Sequence, residues 1–597
     1  MIGTYAAVLA VGLSSLAVGQ AAIGLCGARR WSWLSPAVGL ALLCAVCWGT
    51  VRLPGHGVVS AVAVLVLTLG AVAYLWRRLE GGAEALRVGG PVALIALLAA
   101  SLPFAVEGHF GILGTSFNPD MSQHLLAADR LAHGASSDLL RQGYPLGPHS
   151  VVVALNKGLG VGLVQGFSGL TVAVAVLAPL TALAALRELP AVPRTAAALV
   201  VGLAYVVASY FAQGAFKETM QALFLLGFAL ALRESGRSWA ERPLRFVPAA
   251  LIAVGSIYTY SFPGLLWLGG AFVIWAVAEL ARGRLSRAAL RPLGLALLAF
   301  VVPVVPEVGR MLDFRHFETF NPNGPGLGNL FGQISPFEAL GIWPSGDFRL
   351  APGDGAVPAP AYYLGIAFGL VLLGYGLFRL WQRRETAILS GLAAAALAYL
   401  AARLGGTPYT AAKAIEIAAP LVALAILLPL LDRRRICSDM PNKVATAAAA
   451  LFLLAAGICS LLALANAPVG PTSFSPALSE FRGEVGEGST LVIASRQLLE
   501  EEHGEPYLAW EMRGGRVCVA AEGEMSKAPP GVRFVITPAF EMRASGGAIM
   551  GAQVPFSGFE VRRARPPYVL WEATGHVAPH SPCPLIAVRQ ARQGPAR

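Results

Sequence analysis

Two aspartates and two histidines are concentrated in one short segment, NPDMSQHLLAADRLAHG, residues 118–134. In a helix, Asp120 and His124 would stack four residues apart on one face. A carboxylate with access to water can act as a general base and take a proton from a hydroxyl group. The segment therefore predicts a short amphipathic helix along a water interface, with Asp120 as a candidate catalytic residue at its start.

The same residues also fit the start of an ordinary helix. Asn118 is a favourable N-cap residue, Pro119 suits the first helical position, and Asp120 would interact with the positive end of the helix dipole. This interpretation explains Asp120 without catalysis. The two interpretations do not exclude each other.

A second segment, YPLGPHSVVVALNKGLG at residues 144–160, follows a few residues later. Its Pro and Gly residues predict a turn that leads into another short helix. Tyr144 and His149 would lie at the beginning of that helix. They are candidates for contact with a substrate near Asp120.

Further polar residues lie where long apolar segments begin or end, and these could bind an anionic or hydroxylated substrate. Ionisable groups at such positions are often functional in membrane proteins. The alternative is that the lysines extend to the interface and the loop charges are simply solvated. The candidates are Lys217, Glu218, Arg310, His316, Tyr409 and Lys413.

The elements that must position these residues are membrane helices. The chain has 597 residues, of which 56% are hydrophobic and 13% charged, whereas soluble proteins contain about 25% charged residues. Apolar blocks of about 17 to 25 residues predict about fourteen spanning helices. The predicted spans are 4–26, 34–51, 57–76, 88–106, 168–187, 195–212, 218–234, 246–260, 263–281, 292–309, 361–380, 386–402, 411–431 and 443–465.

The distribution of arginine and lysine predicts the orientation of these helices. Alternate loops, such as ARRW, WQRRE and DRRRICSDMPNK, are rich in basic residues, and the opposite loops are poorer in them. The positive-inside rule makes the basic loops cytoplasmic. It also accounts for the net charge of +11 without nucleic-acid binding. Three long segments then face outward: 107–167, 310–360 and the C-terminal region from 467.

The C-terminal region has the composition of a small soluble domain. STLVIASRQLL, GVRFVITPAF and YVLWEAT predict β-strands, which gives an α/β or β-rich module. Cys518 and Cys583 both lie in this region, and a disulfide between them is possible in an extracytoplasmic location. The closing tail, RQARQGPAR, has the composition of a disordered segment.

With these features the sequence resembles the GT-C superfamily of membrane glycosyltransferases. The resemblance rests on Asp120 and His124 in the first large external loop and on YPLGPH at 144–149. Actinobacterial multi-pass proteins with a D-x-x-x-H and YP-x-G-x-H loop are similar. The chain departs from the usual pattern in two respects, because several helices precede this loop and because NPDM offers one acid rather than an adjacent pair.

The resemblance implies an all-α polytopic fold, a GT-C-like helical bundle with a small extracytoplasmic C-terminal domain. The predicted division is 1–87 for N-terminal helices, 88–466 for the GT-C-like module and 467–597 for the soluble domain. A multi-pass protein of the plasma membrane is expected, which takes a sugar from a polyprenyl-phosphate donor. The acceptor would be a cell-envelope glycan or protein.

The resemblance also implies roles for the candidate residues. Asp120 would be the base, while His124, Tyr144 and His149 would shape the acceptor or phosphate site. Lys217, Arg310 and Lys413 are candidates for holding the lipid phosphate, whose developing charge needs cations or a divalent metal.

Two other functions remain open at this point. One is a transporter or flippase for a lipid-linked saccharide, and the other is a non-catalytic scaffold for envelope assembly. The sequence contains no P-loop, so ATP-driven transport by this chain alone is not expected.

Overall fold

The structure of the chain is a computed structural model. It describes all residues except 115–119, 238–239, 318–325, 432–441, 487, 502–503, 545–546, 552–554, 579–582 and 584–597. The predicted cap at Asn118 and Pro119 and the predicted disordered tail lie outside the described residues.

The chain divides into two compact units. The first comprises Met1–Asn118, Leu131–Gly134 and Leu140–Val469, and the second comprises Pro119–Arg130, Ala135–Leu139 and Gly470–Arg597. Most of the segment that begins with Asp120 therefore belongs to the unit that contains the C-terminal region. The boundaries predicted at 87/88 and 466/467 stay predictions.

The helices up to residue 465 account for all the predicted spans. They are α1 (Ile2–Leu25), α2 (Ser35–Val51), α3 (His56–Trp76), α4 (Gly82–Ala100), α5 (Leu102–Glu107), α6 (Met121–Ala132), α7 (Asp138–Arg141), α8 (Gly147–Leu159), α9 (Leu163–Leu186), α10 (Ala191–Gly202), α11 (Tyr205–Ala212), α12 (Phe216–Arg237), α13 (Val247–Tyr260), α14 (Gly264–Ala281), α15 (Leu290–Val304), α16 (Val308–Phe314), α17 (Ala359–Gln382), α18 (Thr386–Gly405), α19 (Pro408–Leu431) and α20 (Asn442–Ala465).

Ten helices within the described residues are long and apolar enough to cross a membrane, or eleven if the bent pair α10 and α11 forms one span. Two further apolar helices, α2 and α13, are shorter, and α12 carries charged residues near both ends. Each of the fourteen predicted spans overlaps a helix. The prediction of a polytopic helical membrane protein is confirmed.

Helices α9, α12 and α19 form the centre of the first unit. They pack against one another and against several further helices, and most of their residues are buried. By contrast, α3, α4, α15 and α17 expose large apolar side chains on their outer faces, as lipid-facing helices do. A helix that is apolar on all sides, such as α9, belongs in the middle of a bundle.

The span predicted at 195–212 is helical but not one continuous helix. The structure breaks it between Gly202 and Tyr205, with a bend of 53° between α10 and α11. Helix α9 packs closely at this break, since a Cβ atom at position 202 would lie 2.3 Å from Pro179. Irregular backbone at membrane depth is tolerated where the protein buries it, and Leu203 and Ala204 are buried.

The C-terminal region contains short helices and a mixed sheet, which confirms the prediction of a small α/β module. Its remaining elements, with the strand that precedes α6, are β1 (Ile112–Leu113), β2 (Val469–Gly470), α21 (Pro476–Ser479), α22 (Arg482–Val485), β3 (Ser489–Ala494), α23 (Glu505–Glu511), β4 (Arg516–Ala521), β5 (Phe534–Pro538), β6 (Phe540–Ala544), β7 (Gly547–Gly551), β8 (Phe559–Arg565) and β9 (Tyr568–Ala573).

The main sheet has the strand order β4-β3-β5-β9-β8. Strand β3 is parallel to both β4 and β5, and β9 is antiparallel to β5 and β8. The three segments predicted as strands from the sequence correspond to β3, β5 and β9. Cys518 on β4 and Cys583 form a disulfide, the pairing that the sequence left open.

The core of this domain includes a residue from α6. Leu126 is 5% exposed and packs in the same hydrophobic core as Leu478, Phe481 and Leu508 from the short helices α21 to α23. The helix after Asp120 is thus part of the folded C-terminal unit. The sequence predicted its apolar stripe but not this partner.

Replacing Leu126 by alanine should therefore destabilise the second unit by about 2–5 kcal/mol, the range for large-to-small substitutions in a core. Hydrogen exchange of the β3 and β5 amides in the full-length protein measures this change. Val561→Ala is the matched control, because Val561 is 56% exposed on β8 and its truncation should change stability by less than about 0.5 kcal/mol. Equal protection in both variants would contradict the packing.

Candidate functional site

A buried ion pair joins the beginnings of two central helices. Lys413 Nζ of α19 lies 3.0 Å from Glu218 Oε1 of α12, with side chains that are 14% and 5% exposed. The Lys413 ammonium also lies over the ring of Tyr409, 4.2 Å from its centroid. All three were candidates from the sequence, and the structure brings them together.

Local sequence explains how α12 presents this pair. The turn before the helix contains Gly214 at φ +73, and Glu218 in the first helical turn is favoured by the positive end of the helix dipole. Adjacent residues of a helix point about 100° apart. Glu218 can therefore face α19 while Lys217 points in another direction.

Lys217 contacts the segment that precedes α8. Its Nζ lies 4.1 Å from the centroid of the Tyr144 ring, a cation–π contact that orients the ammonium group. Tyr144 is buried and packs against Phe314 and Phe317, at centroid distances of 5.7 and 5.2 Å. Lys217 and Tyr144, two further candidates, are thus neighbours.

His149 is held in an aromatic environment at the start of α8, the second short helix that the sequence predicted. Its side chain is 0% exposed, and its ring lies 5.4 Å from Phe167 and 5.6 Å from Phe216. Burial lowers the pKa of His149 to about 3. The imidazole is therefore neutral near pH 7, and its surroundings favour a role in positioning Tyr144, 6.3 Å away.

This burial predicts a dependence of stability on pH. Between the folded pKa of about 3 and the usual value of about 6.5, the unfolded chain binds more protons at His149 than the folded chain does. The free energy of unfolding therefore falls as the pH falls through this window, by about 2 kcal/mol at about pH 5. His149→Phe should remove that loss.

Thermal unfolding of both proteins in the same detergent, at about pH 7.5 and about pH 5, measures the difference. The wild type should lose more stability on acidification than His149→Phe does. The same loss in both proteins would show that His149 is not the group responsible.

The second predicted external loop reaches the ring of Tyr409. The Tyr409 amide donates to the carbonyl of Gly326 over 3.4 Å, and a Cβ atom at Gly328 would lie 2.7 Å from the ring. Gly328 also has φ +58, which favours glycine. In the same loop Asn329 donates a hydrogen bond to Gln213 at the end of α11.

Arg310, a predicted phosphate ligand, is engaged by the protein. Its Nε donates to Glu307 over 2.6 Å, and its terminal nitrogens donate to the carbonyls of Gly143 and Ile257 over 3.0 and 3.1 Å. A further contact of 3.5 Å reaches Ser261. This arrangement favours a structural role that ties α16 to α13 and to the segment before α8.

The remaining candidates lie elsewhere. His316 is exposed and receives a hydrogen bond from Arg315 over 2.9 Å. Asp120 and His124 belong to the second compact unit. Asp120 is exposed immediately before α6, and its carbonyl accepts from the amides of Gln123 and His124 over 3.0 and 3.3 Å. Its backbone therefore begins α6, and both sequence interpretations of its carboxylate stay predictions.

Three residues around the ion pair had no predicted site role. Tyr210 of α11, Tyr260 of α13 and Glu416 of α19 interact electrostatically with Lys413 and Glu218. The only sequence signal was Glu416, which follows Lys413 by three residues and so shares its helix face.

Among the residues that the structure describes, no group of three His, Cys, Asp or Glu side chains is arranged to hold a metal ion. A divalent metal as the partner of a leaving phosphate stays a prediction.

The chain is a multi-pass helical membrane protein with a GT-C-like fold and a small α/β domain. It is similar to the cryo-EM structure of the arabinofuranosyltransferase AftD from mycobacteria, with 15% identity and a TM-score of 0.50. The match covers 82% of this chain and 40% of the AftD chain. No family model and no curated protein matches the sequence.

Proposed function

We propose that the protein is an integral membrane glycosyltransferase that takes a sugar from a polyprenyl-phosphate donor and transfers it to a cell-envelope acceptor on the external face. The observation that carries this proposal is the pair of lysines at the beginnings of α12 and α19, Lys217 and Lys413, which both interact electrostatically with Glu218. Both lie at helix ends that the basic-loop pattern predicts to be external.

The chemistry of the two lysines suits a lipid phosphate. Ammonium groups that are partly removed from water stabilise the negative charge that develops as the phosphate leaves. Lys217 and Lys413 are both partly buried, Lys217 over the ring of Tyr144 and Lys413 over the ring of Tyr409. The GT-C-like fold supports the same reaction class, and the disulfide of the C-terminal domain supports an extracytoplasmic location.

The role of Asp120 as general base remains part of this proposal, and it is tested separately. His124 would assist at the acceptor. Tyr144 would act by positioning Lys217, which lies over its ring, and His149 would act through Tyr144, 6.3 Å away.

The proposal predicts that Lys217→Met lowers transfer at least tenfold, chiefly by raising the KM for the polyprenyl-phosphate donor. The assay uses the full-length protein in liposomes with polyprenyl-phosphate-linked arabinofuranose first, followed by other pentoses and hexoses. Lys157→Met is the matched control, because Lys157 is an exposed lysine in the last turn of α8, at the other end of that helix from His149. This variant should retain activity.

Movement of labelled lipid between leaflets, without transfer to any acceptor, would contradict the glycosyltransferase and favour the transporter alternative.

A further inference from the structure

Three buried oxygen atoms next to the Lys413–Glu218 pair have no hydrogen-bond partner within the described part of the chain. They are both carboxyl oxygens of Glu416 and the hydroxyl of Tyr210. Glu416 is 0% exposed and Tyr210 is 2% exposed. Because both residues interact electrostatically with Lys413 and Glu218, these oxygens belong to one polar neighbourhood.

Such atoms are costly to leave unbonded. A buried donor or acceptor without a partner costs about 1–3 kcal/mol, and more for a charged group. An apolar residue at position 416 would avoid this cost, since its neighbours on the central helix α19 are apolar and well packed. Glu416 therefore does not stabilise the fold by hydrogen bonds within the described chain, and its oxygens are available to a bound molecule.

The charges around Glu416 restrict what that molecule can be. A phosphate group placed against Glu416 itself would meet carboxyl oxygens rather than cations, so the phosphate of the proposed donor is left to Lys217 and Lys413. A metal ion would be repelled by Lys413, and no metal-binding group occurs in the described residues. A neutral molecule with several hydroxyl groups satisfies the site, because each hydroxyl can donate to a carboxyl oxygen and accept from Tyr210.

The aromatic side chains support the same class of ligand. Tyr210 packs against Phe348 at 5.5 Å between centroids, and the electrostatic neighbourhood of Lys413 also includes Tyr260 and Tyr409. Pockets that bind small molecules combine such apolar faces with a few polar groups. A sugar ring has an apolar face of C–H groups and an edge of hydroxyl groups.

We propose that Glu416 and Tyr210 bind the hydroxyl groups of the transferred sugar, and that Glu416 determines which sugar is accepted. This inference rests on the proposed function, in which the lysines bind the phosphate. Glu416 lies three residues beyond Lys413 on α19, about 4.5 Å further along the helix axis. The sugar would thus bind next to its own phosphate.

The test compares two lipid probes, polyprenyl phosphate and polyprenyl-phosphate-linked sugar, by their dissociation constants for the full-length protein in nanodiscs. Glu416→Leu should weaken binding of the glycosylated lipid at least tenfold and leave binding of bare polyprenyl phosphate unchanged. Its melting temperature should equal or exceed that of the wild type, because a buried unbonded group is removed. Glu416→Gln should change the preference among arabinofuranose, ribose and hexose donors.

The other outcomes have separate meanings. Lys217→Met should weaken the binding of both lipids to the same extent, since Lys217 is proposed to bind the phosphate that they share. If the wild type binds neither lipid, the proposed function fails and this inference fails with it. If the wild type binds both lipids and Glu416→Leu changes neither dissociation constant, the inference alone is overturned and the buried oxygens bind water only. If Glu416→Leu weakens the binding of both lipids equally and lowers the melting temperature, Glu416 has a structural role and the inference is also overturned.

Discussion

Lys413→Met is expected to abolish glycosyl transfer and to destabilise the transmembrane unit. The substitution removes one of the two proposed phosphate-binding cations. It also leaves Glu218, 5% exposed, as a buried carboxylate without its ion-pair partner, which typically costs about 3–5 kcal/mol. A thermal-unfolding measurement and a transfer assay on the same preparation would record both effects.

A charge exchange separates the two effects. The double variant Glu218→Lys with Lys413→Glu keeps an ion pair between α12 and α19, so it should recover much of the stability lost in Lys413→Met. It should not recover transfer, because the ammonium now lies on α12 and a carboxylate takes the place of the proposed phosphate ligand. Recovery of both stability and transfer would show that the pair is structural and would remove Lys413 from the site.

The membrane-spanning part of the fold could be predicted from the sequence because its signal is local. A run of about 20 apolar residues is enough to predict a spanning helix, and each such run proved to be helical. The start of α8 was also predictable, since Pro148 follows Gly147 at the beginning and Gly160 ends the helix with φ +67. These features depend on neighbouring residues only.

Features that depend on distant residues could not be predicted. The break between α10 and α11 lies where Pro179 approaches Gly202, and the approach of a residue so far away in the chain cannot be predicted from the sequence around residue 202. The packing of Leu126 into the core of the C-terminal domain likewise joins segments far apart in the chain. Amphipathic pattern alone identifies an apolar face but not the surface that covers it.

The candidate site was predictable by residue type but not by pairing. Lys217, Glu218, Tyr409 and Lys413 were selected because ionisable groups at helix ends in membranes are often functional, and the structure groups them. Arg310 met the same criterion. Its guanidinium is instead bonded to Glu307 and to backbone carbonyls, a distinction that requires the fold.

Asp120→Asn is expected to lower transfer by about 10²–10⁴-fold, the contribution that general base catalysis usually makes. The asparagine amide is not basic at neutral pH, so the variant cannot take the proton of the acceptor hydroxyl. Donor binding should stay unchanged, because the lysines proposed to bind phosphate are intact. The rate of transfer and the affinity for bare polyprenyl phosphate are the two measurements.

The competing explanation of Asp120 makes a different prediction. If the residue only stabilises the start of α6, where its carbonyl accepts the first helical hydrogen bonds, then asparagine should replace it without loss, since both are good N-cap residues. Asp120→Ala would then destabilise the helix start by about 1 kcal/mol and change transfer only slightly. Loss of transfer in both variants, with normal stability in Asp120→Asn, is the result that a catalytic carboxylate requires. Full activity in Asp120→Asn would exclude Asp120 as the base and leave it with the capping role alone.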